Sequence, residues 1–282
     1  MKKALAFILA LALALPLGGC FYKSEIPYAT EPSTEPPIHR EKLASIESTV
    51  LYDTEEYKIT ATELKQTGTG ARICVTFENN TDLAVTFTAN DLIVNDLTVT
   101  DGFSISAEPN KVGTGYIDVS YRSMDAACIT NLAFIKSVDA NIFENAEYKV
   151  LAMVPFKIET SLYGKYQQTI PEQGTVLYEK NGLKIAALEL RPNTYTTSVR
   201  FLVTNVGSEP VTVKAEKVRA NEQDIRNAWM FDTIYPGTSR YCEFEIGKLD
   251  ITAVTLDIDV YSTGDQIALL YQTGTHSIAL SE

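Results

Sequence analysis

Residues able to do chemistry are few in this chain, and they are scattered. Only two histidines occur. His39 precedes the first strand pattern, so a serine–histidine–acid relay would depend on His276 in Thr275-His276-Ser277. The sequence holds no G-x-S-x-G elbow, no H-E-x-x-H and no paired-histidine spacing for zinc. His276 therefore reads as a surface residue on a terminal strand, no catalytic residue is assigned, and the chain is expected not to be an enzyme. Cys74, Cys128 and Cys242 lack C-x-x-C spacing and spell neither a disulfide framework nor a zinc site. Cys242 alternates with Phe244 and Ile246, as a small core residue would. Cys74 lies on the opposite strand face from Ile73 and Val75. A Cys74–Cys128 bridge stays open, since sequence cannot supply the geometry that a disulfide requires.

Acidic and aromatic residues offer two further chemistries. Asp91, Asn95 and Asp96, or Asp257 and Asp259, could donate oxygens to calcium, which takes about six to eight converging ligands. No D-x-[DN]-x-[DN]-G loop gathers them, so neither a metal nor a cofactor is expected. Gly68-Thr69-Gly70 and Gly113-Thr114-Gly115 do not complete a phosphate loop, and both read as hairpin turns. The single tryptophan, Trp229, stands in Asn227-Ala228-Trp229-Met230-Phe231. It reads first as a buried loop anchor between sheets. Turned outward, it would be an aromatic patch for a sugar ring or a protein, and it is the ligand-binding candidate.

The chain carries a formal charge of −12 and no lysine- or arginine-rich cluster. That balance argues against nucleic acid or anionic lipid as a partner, and ordinarily means solubility. The first twenty residues, MKKALAFILALALALPLGGC, set an address. Lys2 and Lys3 form a positive region, and Ala4 to Leu15 form an apolar run too short to span a bilayer. Leu17-Gly18-Gly19-Cys20 resembles the lipobox of bacterial lipoproteins. The resemblance implies cleavage before Cys20 and lipidation of that cysteine, such as a diacylglyceryl group or palmitate, on the extracytoplasmic face of the cell membrane. Phe21 to Pro37 is rich in Pro, Ser, Thr and Glu and has no strand or helix period, so it reads as an extended tether.

The remaining residues repeat themselves. Val50-Leu51-Tyr52 returns as Val176-Leu177-Tyr178, Lys58-Ile59 as Lys184-Ile185, and Leu64 as Leu190. Asn79 meets Asn205, Val85 meets Val211 and Asn95 meets Asn221 at the same displacement. With small slips, Gly113-Thr114 pairs with Gly237-Thr238 and Ile129-Thr130 with Ile251-Thr252. Within each copy the period is two, as in Ile73, Val75 and Phe77 or Val254, Leu256, Ile258 and Val260. Turn clusters separate these runs, among them Asn79-Asn80-Thr81-Asp82, Pro109-Asn110-Lys111 and Tyr235-Pro236-Gly237. The fold expected is all-β: two tandem antiparallel immunoglobulin-like β-sandwich domains after a signal peptide and a disordered tether. The boundaries are 1–19 for the signal peptide, 20–46 for the lipidated cysteine and tether, 47–161 for the first sandwich and 162–282 for the second. Relative motion of the two is the default unless a large apolar interface exists.

Tyr52, Lys58-Ile59-Thr60, the turn Glu78-Asn79-Asn80-Thr81-Asp82 and Val94-Asn95-Asp96 together resemble repeats found in lipoproteins of Gram-positive bacteria. These are tandem Ig-like β-sandwich repeats, a family of unknown function. In the second copy Asn205-Val206-Gly207-Ser208 replaces the Asn-Asn-Thr-Asp turn. The resemblance implies the fold and the location and carries over no catalytic residue. The function expected is a membrane-anchored, non-enzymatic binding or spacer module for a protein partner at the cell envelope. The alternative is a glycan-binding surface lipoprotein.

Overall fold

Alternating apolar residues become strands with one buried and one solvated face. Ile73, Val75 and Phe77 are buried along one strand, and Val254, Leu256, Ile258 and Val260 along another. The computed structural model describes residues 44–170, 174–192, 196–247, 251–264 and 266–279. The signal peptide, Cys20, the tether to residue 43, and Pro171-Glu172-Gln173 lie outside the described residues, as does His39.

The first copy runs β1 (Thr49–Asp53), β2 (Tyr57–Gln66), β3 (Gly70–Asn79), β4 (Val85–Ala89), β5 (Leu92–Val94), β6 (Leu97–Val99), β7 (Phe103–Ala107) and β8 (Lys111–Ser120). A short helix α1 (Tyr121–Ala126) follows, N-capped by the Ser120 hydroxyl on the Ser123 N–H. Then come β9 (Phe134–Ser137), β10 (Asn141–Glu144), β11 (Val150–Met153) and β12 (Phe156–Glu159). The second copy runs β13 (Thr175–Lys180), β14 (Leu183–Pro192), β15 (Thr196–Asn205), β16 (Val211–Ala220), β17 (Gln223–Asp224), β18 (Phe231–Ile234), β19 (Thr238–Gly247), β20 (Ala253–Ser262) and β21 (Leu269–Ala279). The protein is all-β and its sheets are antiparallel within each copy. Each copy has its own β-sandwich core: Ile59, Phe77, Phe87, Ile117 and Ile142 in the first, Ile185, Phe201, Val213, Phe244 and Ile258 in the second.

The repetition reaches down to irregularities. The β1–β2 ladder slips between Val50 and Tyr52, and β13–β14 slips between Val176 and Tyr178. The next ladder slips between Ala61 and Glu63 in one copy and between Ala187 and Glu189 in the other. Asn79 is buried and its Nδ2 donates to the carbonyls of Leu83, Ala107 and Glu108; buried Asn205 donates to those of Glu209 and Ile234. Asn95 and Asn221 both take positive φ, and the Oδ1 of each accepts two consecutive backbone N–H groups. These asparagines tie turns to neighbouring strands; the carbonyls beside buried Asn79 and Asn205 must find a partner.

Three readings change. Asn79 opposes Lys111 as Asn205 opposes Thr238, so Lys111, not Thr114, corresponds to the start of β19. Asn95 holds the N–H groups of Ala133 and Phe134 where Asn221 holds those of Thr252 and Ala253, which also displaces the Ile129/Ile251 match. In both cases a repeated dipeptide aligns by identity while the hydrogen-bond ladder fixes another register. Gly113 and Gly115 are not a hairpin turn; they lie inside β8. A Cβ at 113 would meet the Ser106 carbonyl oxygen at 2.1 Å, and one at 115 would meet the Ile105 side chain at 2.7 Å. Close approach of β7 requires glycine there.

The two copies differ in how their middle strands are used. In the first, the chain breaks between β4 and β5 at Asn90-Asp91. There β4 joins the sheet β11-β10-β4-β7, while β5 and β6 enter another. In the second, the corresponding place is a bulge in the β16–β20 ladder between Glu216 and Arg219, with Lys217 at φ 48°, and β16 stays in one sheet. The redirected β6 pairs in parallel with β19, Leu97 opposite Ser239 and Thr98 opposite Arg240. One eight-stranded sheet, β12-β9-β5-β6-β19-β15-β14-β13, therefore runs through both copies.

Candidate functional surface

Arg240 lies in phase with Cys242, Phe244 and Ile246 on β19, so its guanidinium points where a core side chain would be expected. It is 7% exposed. A buried cation needs counter-charges and hydrogen-bond acceptors. Arg240 finds Asp91 Oδ2 at 3.0 Å, Asp232 Oδ1 at 3.1 Å, Thr100 Oγ1 at 2.9 Å and the Thr233 carbonyl at 3.3 Å. Burial opposes its charge, yet Asp232 and Asp91 together hold its pKa above the ordinary value. Burial moves Asp91 the other way, upward, against the pull of Arg240. The Tyr235 hydroxyl donates to Asp139 Oδ2 at 2.8 Å, and the Ser239 N–H donates to the Asp96 carbonyl at 2.9 Å. Asp91, Thr100 and Asp139 come from the first copy, and Tyr235, Ser239 and Arg240 from the second. This polar cluster fastens the parallel strand pair.

In the second copy the edge equivalent to β6 is β17, and among the described residues no strand covers it. Lys217 stands where Asp91 stands, and Arg226 where Thr100 stands. A groove of about 620 Å³ runs along this edge between Lys217, Arg219, Asp224, Ile225, Arg226 and Ala228. Lys217 Nζ reaches Asp257 Oδ2 at 2.7 Å, and Arg219 reaches Asp224 Oδ1 at 3.1 Å. Arg226 is exposed and makes no ion pair among the described residues. Directly beyond the groove, Trp229 is 71% exposed, with the Phe231 ring centroid 6.0 Å from its own. Trp229 is therefore not the buried loop anchor that its size suggested. Its neighbour Met230 takes the core position instead, its carbonyl accepting from the Ala215 N–H.

The chain matches no family model and no curated protein. Among solved structures, a conserved domain protein from Bacillus anthracis aligns over 87% of this chain and 94% of its own, at 12% identity and a TM-score of 0.30. A β-glucuronidase from Bacteroides uniformis aligns over 75% of this chain and 26% of its own, at 10% identity and a TM-score of 0.26. The red sea bream transglutaminase aligns over 86% and 32%, at 10% identity and a TM-score of 0.21. Likeness at this level assigns no activity.

The remaining chemistry-bearing residues are engaged in local structure. His276 is half-buried, its Nε2 2.7 Å from Thr273 Oγ1; burial lowers its pKa while Asp257 pulls the other way. Cys74, Cys128 and Cys242 are free thiols, so no Cys74–Cys128 bridge forms. Cys74 Sγ faces Glu63, Cys128 Sγ lies 3.9 Å from Arg200 Nη2, and Cys242 is buried in the second core. The calcium candidates go separate ways. Asp91 bonds Arg240, Asn95 the Ala133 turn, Asp96 Lys136, Asp257 Lys217, and Asp259 accepts from Gln272. Among the described residues no group of three or more acidic, histidine or cysteine side chains is placed to hold a metal. Sequence reasoning missed Arg240, although a charge in phase with Cys242, Phe244 and Ile246 was visible.

Proposed function

We propose that this chain is an extracytoplasmic lipoprotein held to the cell membrane through Cys20, presenting two immunoglobulin-like sandwiches as one non-enzymatic binding or spacer module. It would belong with the tandem Ig-like repeat lipoproteins of Gram-positive bacteria. The observation that carries this reading is the β6–β19 strand pair with its buried Arg240 cluster. A continuous sheet between the copies suits a module that holds a surface at fixed distance and orientation better than one that bends at a hinge. Two acyl chains would make the attachment stable, at about 0.8 kcal/mol per buried CH₂, so the sandwiches need not touch lipid. The partner would be another protein of the envelope. Cross-linking on intact cells should recover one specific protein, and Cys20→Ala should move the chain out of the membrane fraction. A chain that stays membrane-bound with Cys20→Ala, or that cross-links to nothing, would overturn the reading.

A glycan-binding lipoprotein is the second reading, favoured by the exposed Trp229. An exposed indole can stack on a sugar ring. On a glycan array this reading expects at least one ligand whose binding is lost with Trp229→Ala, and an array without such a ligand rules it out.

A further inference from the structure

We propose that the open β17 edge of the second copy receives an added strand from a protein partner, and that this strand carries an acidic side chain where β19 carries Arg240. The proposal rests on the protein-partner reading above and names the surface and the chemistry of the partner.

The molecule contains its own precedent. At the β6 edge of the first copy, a parallel strand docks through only two residue pairs, Leu97 with Ser239 and Thr98 with Arg240. So short a ladder is held by what surrounds it, chiefly the arginine reaching Asp91 and Thr100. β17 repeats the geometry of β6. Arg219 opposes Asp224 as Ile93 opposes Thr98, each short strand pairing antiparallel with the strand before it. What changes is the sign of the charge. The β6 edge presents Asp91 to Arg240 and Asp139 to Tyr235 of the second copy. The β17 edge presents Lys217, Arg219 and Arg226 against Asp224 and Asp257, which already pair with Arg219 and Lys217, while Glu216 of the same groove pairs with Lys214. Arg226, at the position of Thr100, pairs with no acid among the described residues.

An edge with unpaired backbone groups templates strand addition unless something blocks it. Charge complementarity then decides which strand is accepted. A base-bearing strand such as β19 is repelled here, which also keeps this edge from capturing the β19 of another copy. A carboxylate at the Arg240 position would face Arg226. The flanking Trp229 and Phe231 supply apolar area on the same rim, and such large aromatics commonly dominate strand-docking energetics.

The test uses two synthetic peptides spanning Tyr235–Gly247, both with Cys242→Ser, one keeping Arg240 and one carrying Arg240→Glu. Each is titrated into the full chain in detergent micelles. Trp229 is the sole tryptophan of the chain and the peptides contain none, so its emission reports on this edge alone. The glutamate peptide should shift the emission to shorter wavelength and bind at least about tenfold more tightly than the arginine peptide. Its affinity should fall with added salt. Arg226→Glu should invert the preference. Equal binding of the two peptides, or no shift with either, overturns the proposal. A soluble wall polysaccharide that shifts the emission while neither peptide does overturns it in favour of the glycan. If cells yield a cross-linked protein partner but the peptide preference is absent, the edge assignment falls and the protein-partner reading stands.

Discussion

Asp91 and Lys217 occupy equivalent positions in the two copies and do opposite things. Asp91 lies at the break after β4, where the chain leaves one sheet and carries β5 and β6 across to the second copy. Lys217 lies at a bulge in β16, where the strand bends but stays in its sheet and the cation turns to Asp257. One repeat thus serves as an acceptor of its neighbour, and in the other no strand among the described residues covers the same edge. Duplicated sequence does not imply duplicated use; a single break and a reversed charge separate a buried joint from a free surface.

The joint between the copies is most vulnerable at Arg240. Arg240→Ala leaves Asp91 and Asp232 without their cation, and loss of one partner of a buried pair costs about 3–5 kcal/mol. Thermal unfolding should show that loss. Because burial already raises the Asp91 pKa, removing Arg240 raises it further, and Asp91 takes up a proton more readily. The penalty should shrink as pH falls toward the acidic range, when that proton neutralises the stranded carboxylate. Arg240→Lys should rescue only in part, since an ammonium cannot reach Asp91, Asp232 and Thr100 with a planar fork.

Asn79 and Asn205 do the same work in both copies. Asn79→Ala and Asn205→Ala each strand buried carbonyls and should each cost about 1–3 kcal/mol. With the copies joined, either substitution should lower the same unfolding transition rather than a separate one for its own copy. His276 gives a smaller, pH-linked effect. Burial lowers its folded pKa below the unfolded one, so the unfolded chain binds the proton first. Its contribution is present above the ordinary histidine pKa and is lost as pH falls through that range. His276→Asn should flatten that part of the stability–pH curve. Trp229→Ala should be the mildest, within about 0.5 kcal/mol of the parent, as expected of an exposed side chain. Phe103, buried in the first core, should cost about 3–5 kcal/mol as Phe103→Ala.

Much of the fold was legible because period-two burial is a strong signal. The alternation of Ile73, Val75 and Phe77 placed β3, and residues 80–82, 109–110 and 235–237 of the turn clusters fell between strands, while Asn79 and Lys111 became a paired strand end. The repeat was legible too, down to Asn79/Asn205 and Asn95/Asn221. What identity could not supply was register: a repeated Gly-Thr pulled the β8 alignment off by three residues, because the two glycines are needed for close packing of β7 rather than for a turn. The joint between the copies was hidden for a different reason. It is made by side chains far apart in sequence, Asp91 and Arg240, and no local pattern links them. Trp229 misled because size usually implies burial, while adjacent Met230 had the right phase to fill the core.

Differential scanning calorimetry of the full chain tests the joint most directly. If the shared sheet and the Arg240 cluster couple the copies, the parent unfolds in one endotherm whose calorimetric and van't Hoff enthalpies agree. Arg240→Ala should then divide that endotherm into two. Two well-separated endotherms in the parent itself would contradict the account, because the copies would then be unfolding independently despite the strand pair between them.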